Sequence, residues 1–165
     1  MKTLLLLRHA KSSWADADQA DFDRPLNERG QKAAPLIGRF MRKQKLHPDL
    51  ILSSPAERAR QTAALVIKAA SLDSVELRYD ARIYEASAAR LLEIIAQIEE
   101  RASEVLLVGH NTGMEDFVRQ LTGESRRMPT AALAHITLDI EKWSKAREGT
   151  GTLDWLVKPK KLSDG

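Results

Sequence analysis

The 165-residue chain has no cysteine, which removes disulfides, zinc knuckles and any thiolate nucleophile together. Long apolar runs are also missing. The stretch from Thr3 to Leu7 is too short for the core of a secretory signal, and no other stretch approaches the length that crosses a bilayer. The expected location is therefore the cytoplasm. Nor is there a strong excess of one charge: 26 Lys and Arg stand against 23 Asp and Glu, a net +3. That surplus is mild and diffuse, so it excludes an electrostatic footprint for nucleic acid while permitting anionic ligands. Repeats, low-complexity blocks and interdomain linkers are absent as well. What is there is a chain with 43% hydrophobic residues, long enough to bury one core without metals or disulfides. A single domain is expected over residues 1–157, with 158–165 as a mobile tail.

Leu4 to Leu7 is continuously apolar rather than alternating, as in a central strand covered on both faces. A polar stretch from Lys11 to Arg24 follows. Asn27 then caps a helix whose Ala33, Leu36, Ile37, Phe40 and Met41 recur at helical spacing. After Pro48, Asp49 to Ser53 is a second short strand, and Ser54-Pro55-Ala56-Glu57 matches a capping box with proline at the first helical position. Val105 to Val108 repeats this grammar, followed by Gly109-His110-Asn111 and a second capping box at Thr112 to Glu115, whose helix ends at Gly123. Between them lie a strand near Val75 to Arg78 and a helix from Ser87. Leu133 to Ile140 and Thr152 to Val157 read as two further strands. This alternation predicts an α/β fold, a three-layer α/β/α sandwich with a mostly parallel central sheet.

Such sheets bind ligands beyond the carboxyl ends of their strands, and three motifs fall there: Arg8-His9, Ser53 to Arg58, and Gly109-His110. Taken singly, each has a bland explanation. A histidine at a strand end is more often a hydrogen-bonding structural residue than a nucleophile, and a helix arginine is usually solvated. Arg58, however, lies in the first turn of a helix whose free N–H groups and dipole attract anions. Two histidines and two arginines converging at one sheet edge point to chemistry on an anionic group.

Four segments in order carry a family resemblance. Leu7-Arg8-His9-Ala10 resembles an Arg-His-Gly signature, and Arg24-Pro25-Leu26-Asn27-Glu28-Arg29-Gly30 a "PLTERG" segment. Ser53 to Ala63 resembles an "SSPLxRAxQTA" block, and Val108-Gly109-His110-Asn111 a second histidine motif. Together they resemble the histidine phosphatase superfamily, the phosphoglycerate mutase-like proteins, and most closely the short SixA-like phosphohistidine phosphatases. The resemblance implies that His9 is the nucleophile, that Arg8 and Arg58 bind phosphoryl oxygens, and that a protonated His110 completes the pocket without metal or cofactor. Ile83-Tyr84-Glu85 resembles the family's "LxE" segment, so Glu85 is the candidate proton donor. The alternative for Glu85 is a solvent-exposed residue before the cap at Ser87.

Departures are informative too. Ala10 replaces the usual glycine, Lys11 stands where many members carry glutamate, and Ala15 stands near a common asparagine, all of which argues against a true phosphoglycerate mutase. Larger relatives insert lid segments before the second histidine, where this chain has only a strand and one helix, so the site is expected to be open and suited to a phosphate displayed on a protein. The expected partner is a phosphorylated protein or a small phosphorylated molecule, with neither nucleic acid nor membrane involved. Arg126-Arg127 is a candidate extension of an anion-binding rim. His47 and His135 receive no role. Two other readings stay open: a metal-dependent phosphohydrolase using Asp16 and Asp18, and a phosphate-binding module without turnover.

Overall fold

The computed structural model describes residues 1–162. Its six strands are β1 (Lys2–Arg8), β2 (Leu50–Ser53), β3 (Glu76–Tyr79), β4 (Glu104–Gly109), β5 (Leu133–Leu138) and β6 (Gly151–Val157). The helices are α1 (Glu28–Lys43), α2 (Glu57–Ala70), α3 (Ala88–Ala96) and α4 (Gly113–Thr122). The six strands form one sheet in the order β3-β2-β4-β1-β5-β6. The first four are mutually parallel, and β5 alone runs against its neighbours β1 and β6. The expected mostly parallel α/β sandwich is the fold observed.

The uninterrupted leucines of β1 have a direct physical cause. Strand side chains alternate between faces, so Leu4 and Leu6 enter a core with Phe117 and Ile95 from α4 and α3. Leu5 and Leu7 enter the opposite core, with Ile37 and Val66 from α1 and α2. All four leucines are fully buried, each contributing about 2 kcal/mol of apolar transfer. A charge at any of them would remain in a core whichever face it took.

Helix starts follow the sequence only in part. The Asn27 and Ser87 side chains accept from the backbone N–H groups of Gly30 and Arg90, capping α1 and α3 as expected. Neither predicted capping box forms. Ser54 Oγ accepts from the Ala56 N–H, and α2 begins only at Glu57. Thr112 makes no side-chain cap, and the Asn111 amide takes over, its Oδ1 accepting from the Glu115 N–H. Of the side chains named by the pattern, Ser54 meets His110 instead, and Glu115 accepts from Asn111 and Met128 N. Residues 158–162, expected within a mobile tail, include a 3-10 turn at Pro159–Lys161. Leu162 packs against the core beneath α1. The last three residues of that expected tail lie outside the described residues.

Candidate active site

Strand pairing sets the two histidines at one level. Arg8 on β1 pairs with Gly109 on the parallel β4, so His9 and His110 leave the sheet side by side, their ring centroids 5.1 Å apart. β2 ends one strand further over, delivering Ser54 and then α2 with Arg58. His9 is held at the backbone from both sides: its N–H donates to Gly109 O and its carbonyl accepts from Ala131 N, both at 3.0 Å. A pocket of about 470 Å³ opens there, lined by Arg8, His9, Arg24, Arg58 and His110 and rimmed by Lys11, Trp14, Asn111 and Thr130.

The tautomer of His9 follows from its partner. Nδ1 lies 2.6 Å from the Ala10 carbonyl oxygen, which can only accept, so Nδ1 carries the proton and Nε2 keeps its lone pair. His9 is 6% exposed. Burial, followed by the repulsion of His110, Arg58 and Arg8, outweighs the hydrogen bond to Ala10 and lowers its pKa from 6.5 to about 3. Imidazole at this position is neutral and nucleophilic at any ordinary pH.

His110 departs from the protonated state expected of it. Burial and then Arg58 lower its pKa to about 4, so it is neutral in the unliganded protein. Its Nε2 lies 2.8 Å from Ser54 Oγ. Ser54 Oγ also accepts from Ala56 N, so its hydroxyl joins the entry of α2 to the His110 ring. His110 Nδ1, Arg8 Nε and Arg58 Nε are buried without a hydrogen-bond partner, on residues that line the pocket.

Several residues that carry the site had no assignment from sequence. Asp21, in a short 3-10 turn, binds Arg58 through both its carbonyl (2.7 Å) and its carboxylate (3.1 Å). The same carboxylate accepts from Arg24 Nε and from the Tyr84 hydroxyl. Tyr84 first, then Arg58 and Arg24, hold its pKa at about 2 despite partial desolvation. Arg24 stacks over the exposed Trp14 ring, 3.5 Å to its centroid, and donates to Ser12 Oγ. Thr62 Oγ1 accepts from Ala10 N and donates to Arg58 O, and Gln61 accepts from Leu26 N. These bonds explain why the Ser53 to Ala63 block carries Gln and Thr at those spacings. On the far side, the Glu115 carboxylate accepts from Met128 N, and the Met128 carbonyl accepts from Arg8.

Of the five predicted residues, Arg8, His9, Arg58 and His110 meet in the pocket. Glu85 does not. It is exposed in a separate depression with Arg82, Tyr84 and Arg90. Its neighbour Tyr84 is the side chain that turns toward His110, edge-on at 5.5 Å. Asp16 and Asp18 sit in an exposed turn, Asp18 N donating to the Asp16 carboxylate. Arg127 lines an adjoining groove, while Arg126 faces Glu124 at 3.9 Å. No helix among the described residues is long and apolar enough to cross a membrane.

Comparison with known proteins agrees with this geometry. Residues 4–89 match the model of the Histidine phosphatase superfamily (branch 1). An uncharacterised protein of Mycobacterium tuberculosis is 38% identical over 158 residues, covering 89% of this chain and 96% of that one. A candidate SixA phosphohistidine phosphatase from Agrobacterium tumefaciens superposes with a TM-score of 0.82 at 33% identity, over 96% of this chain and 98% of that one. The SixA protein histidine phosphatase complexed with tungstate gives 0.80 at 26% identity, over 98% and 99%. With the family matched across half its length and the SixA fold across nearly all of it, the chain is a phosphatase belonging to the histidine phosphatase superfamily, on its SixA-like branch.

Proposed function

We propose that this protein hydrolyses phosphoryl groups through a phosphohistidine formed on His9 Nε2, and that its substrate is a phosphohistidine displayed on a protein. The observation that carries the reading is a tautomerically fixed lone pair on His9 set among Arg8, Arg58 and His110 in one pocket. In the first displacement, Nε2 forms a bond to phosphorus as the bond to the leaving group breaks. In the second, a water oxygen attacks phosphorus, the P–Nε2 bond breaks with its electron pair returning to His9, and the water's proton is released to solvent, from which the departed imidazole takes one. Arg8, Arg58 and His110 stabilise charge on the non-bridging oxygens in both steps.

The carboxylates favour a P–N over a P–O substrate. Glu85 stands outside the pocket, and Asp21, with its pKa near 2, is ionised and cannot supply a proton at neutral pH. An imidazole leaving group needs little acid assistance, whereas an alkoxide needs much. The complex of a SixA protein histidine phosphatase with tungstate, a phosphate-shaped oxyanion, is consistent with this reading.

The test is hydrolysis in EDTA of a phosphohistidine protein and of para-nitrophenyl phosphate by wild type and His9→Ala, with acid quenching to look for an acid-labile phosphoenzyme. The expected result is EDTA-resistant turnover favouring the phosphohistidine protein, with turnover and phosphoenzyme both lost in His9→Ala. Turnover unchanged by that substitution would overturn the mechanism, and a preference for the phosphomonoester would overturn the substrate.

A further inference from the structure

Beside the histidine pocket runs a second, larger groove of about 750 Å³ that shares Arg8, Lys11 and Thr130 with it. One wall is the face of α1 carrying Arg29, Lys32, Ala33 and Leu36, positions spaced to share one side of a helix. The opposite wall is the terminal strap, with Lys158, Pro159, Lys160 and Leu162. Arg127 and Pro129 also line it.

The charge here is unlike that of the whole chain. A protein of net +3 gathers seven of its cationic side chains into this groove and a single carboxylate, Glu115. That carboxylate is already committed to Asn111 Nδ2 and Met128 N. Among the described residues, none of Lys11, Arg29, Lys32, Arg127, Lys158 and Lys160 lies within ion-pair distance of an acid. Like charges facing one another across a groove raise the free energy of the empty protein and lower it again when an anion enters.

We propose that this groove docks an acidic, leucine-bearing stretch of the substrate polypeptide next to its phosphorylated residue. The proposal rests on the phosphatase reading of the adjoining pocket. The cations along the rim meet carboxylates, while Ala33, Leu36, Pro129 and Leu162 offer an aliphatic floor for apolar side chains. Nucleic acid fits less well, because no aromatic ring lines the groove to stack a base. The shared threshold at Arg8 and Lys11 lets one chain occupy the groove while its phosphoryl group reaches His9.

Binding can be read without turnover, by fluorescence anisotropy of a labelled peptide of Glu, Asp and Leu, its Gln, Asn and Leu counterpart, and an oligothymidylate of similar length. The wild type should bind the acidic peptide at least tenfold more tightly than the neutral one, with an affinity that falls as salt rises. In the double charge reversal Lys32→Glu with Lys160→Glu, both exposed and outside the histidine pocket, the acidic peptide should lose roughly tenfold or more. Hydrolysis of para-nitrophenyl phosphate by that variant should stay within twofold of wild type. Equal binding of the two peptides, unchanged binding in the variant, or tighter binding of the oligothymidylate would each overturn the proposal. Because the peptides carry no phosphate, such a failure is distinct from loss of turnover in the His9 experiment.

Discussion

Acid should destabilise this protein through the two histidines that serve its chemistry. Both are buried and neutral, with pKa values lowered from 6.5 to about 3 for His9 and about 4 for His110. Unfolding releases them to the ordinary value. Between about pH 6.5 and pH 4 the unfolded chain therefore binds protons that the native state refuses, so native stability is fullest above pH 6.5 and falls as pH drops. Integrating from pH 7 to pH 5 gives a loss of about 2 kcal/mol for each histidine, about 4 kcal/mol for the pair. That is a large share of a typical domain's stability. Urea unfolding at the two pH values, on wild type and on His9→Gln and His110→Gln, isolates the effect from the carboxylates that titrate in every variant. Each substitution should cut the loss between pH 7 and pH 5 by about 2 kcal/mol. A variant that loses as much stability as wild type over that interval would refute the assignment of a neutral buried imidazole at that position. The same shift has a kinetic face: turnover per folded molecule should not fall between pH 7 and pH 5 as it would for a nucleophile titrating near 6.5.

Arg58→Ala should lower kcat/KM by about 100-fold, on the order of 3 kcal/mol, because it removes a fixed donor to the transferring phosphoryl group. Arg58→Lys should recover little, since a point charge cannot replace the fork that also holds Asp21. Asp21→Asn removes the charge that occupies Arg58 in the empty protein, and orthophosphate should then bind about threefold more tightly by calorimetry. Gly30→Ala should destabilise the fold by about 2 kcal/mol in urea, because a Cβ there would come within 2.2 Å of the Lys11 carbonyl oxygen. Activity of the folded fraction should fall with it, as the same loop leads out of His9.

The sequence was most readable where one residue's surroundings are local or are set by the sheet. Leu4 to Leu7 announced a strand covered on both faces, and Asn27, Ser87 and Gly123 marked helix ends that they do bound. Arg8, His9, Arg58 and His110 were legible as a cluster because each lies at or shortly beyond the carboxyl end of a strand. Asp21 was not, since its meaning comes from Arg58, 37 positions on, and Tyr84, 63 positions on. A carboxylate in a polar loop has no periodicity to betray it. The two capping boxes misled for a related reason. Ser54 fits the pattern, but its hydroxyl is engaged by His110 from another strand, a tertiary contact that overrides the local one. Glu85 lines a neighbouring depression beside Tyr84, whose ring meets His110 edge-on. Leu162 looked like tail because a single apolar residue among lysines carries no pattern, although it finds a place against α1.

The register between β1 and β4 has a consequence for how the molecule comes into being. His9 and His110 stand about a hundred residues apart in the chain, and they meet only because two parallel strands, distant in sequence, have paired. Contacts of that separation carry the largest loop-closure cost and form with the slow, global phase of folding. No partly folded fragment that lacks β4 can hold the pair. Newly made chains thus stay catalytically silent until β1 and β4 have paired, and the return of activity after dilution from urea becomes a clock for that long-range pairing.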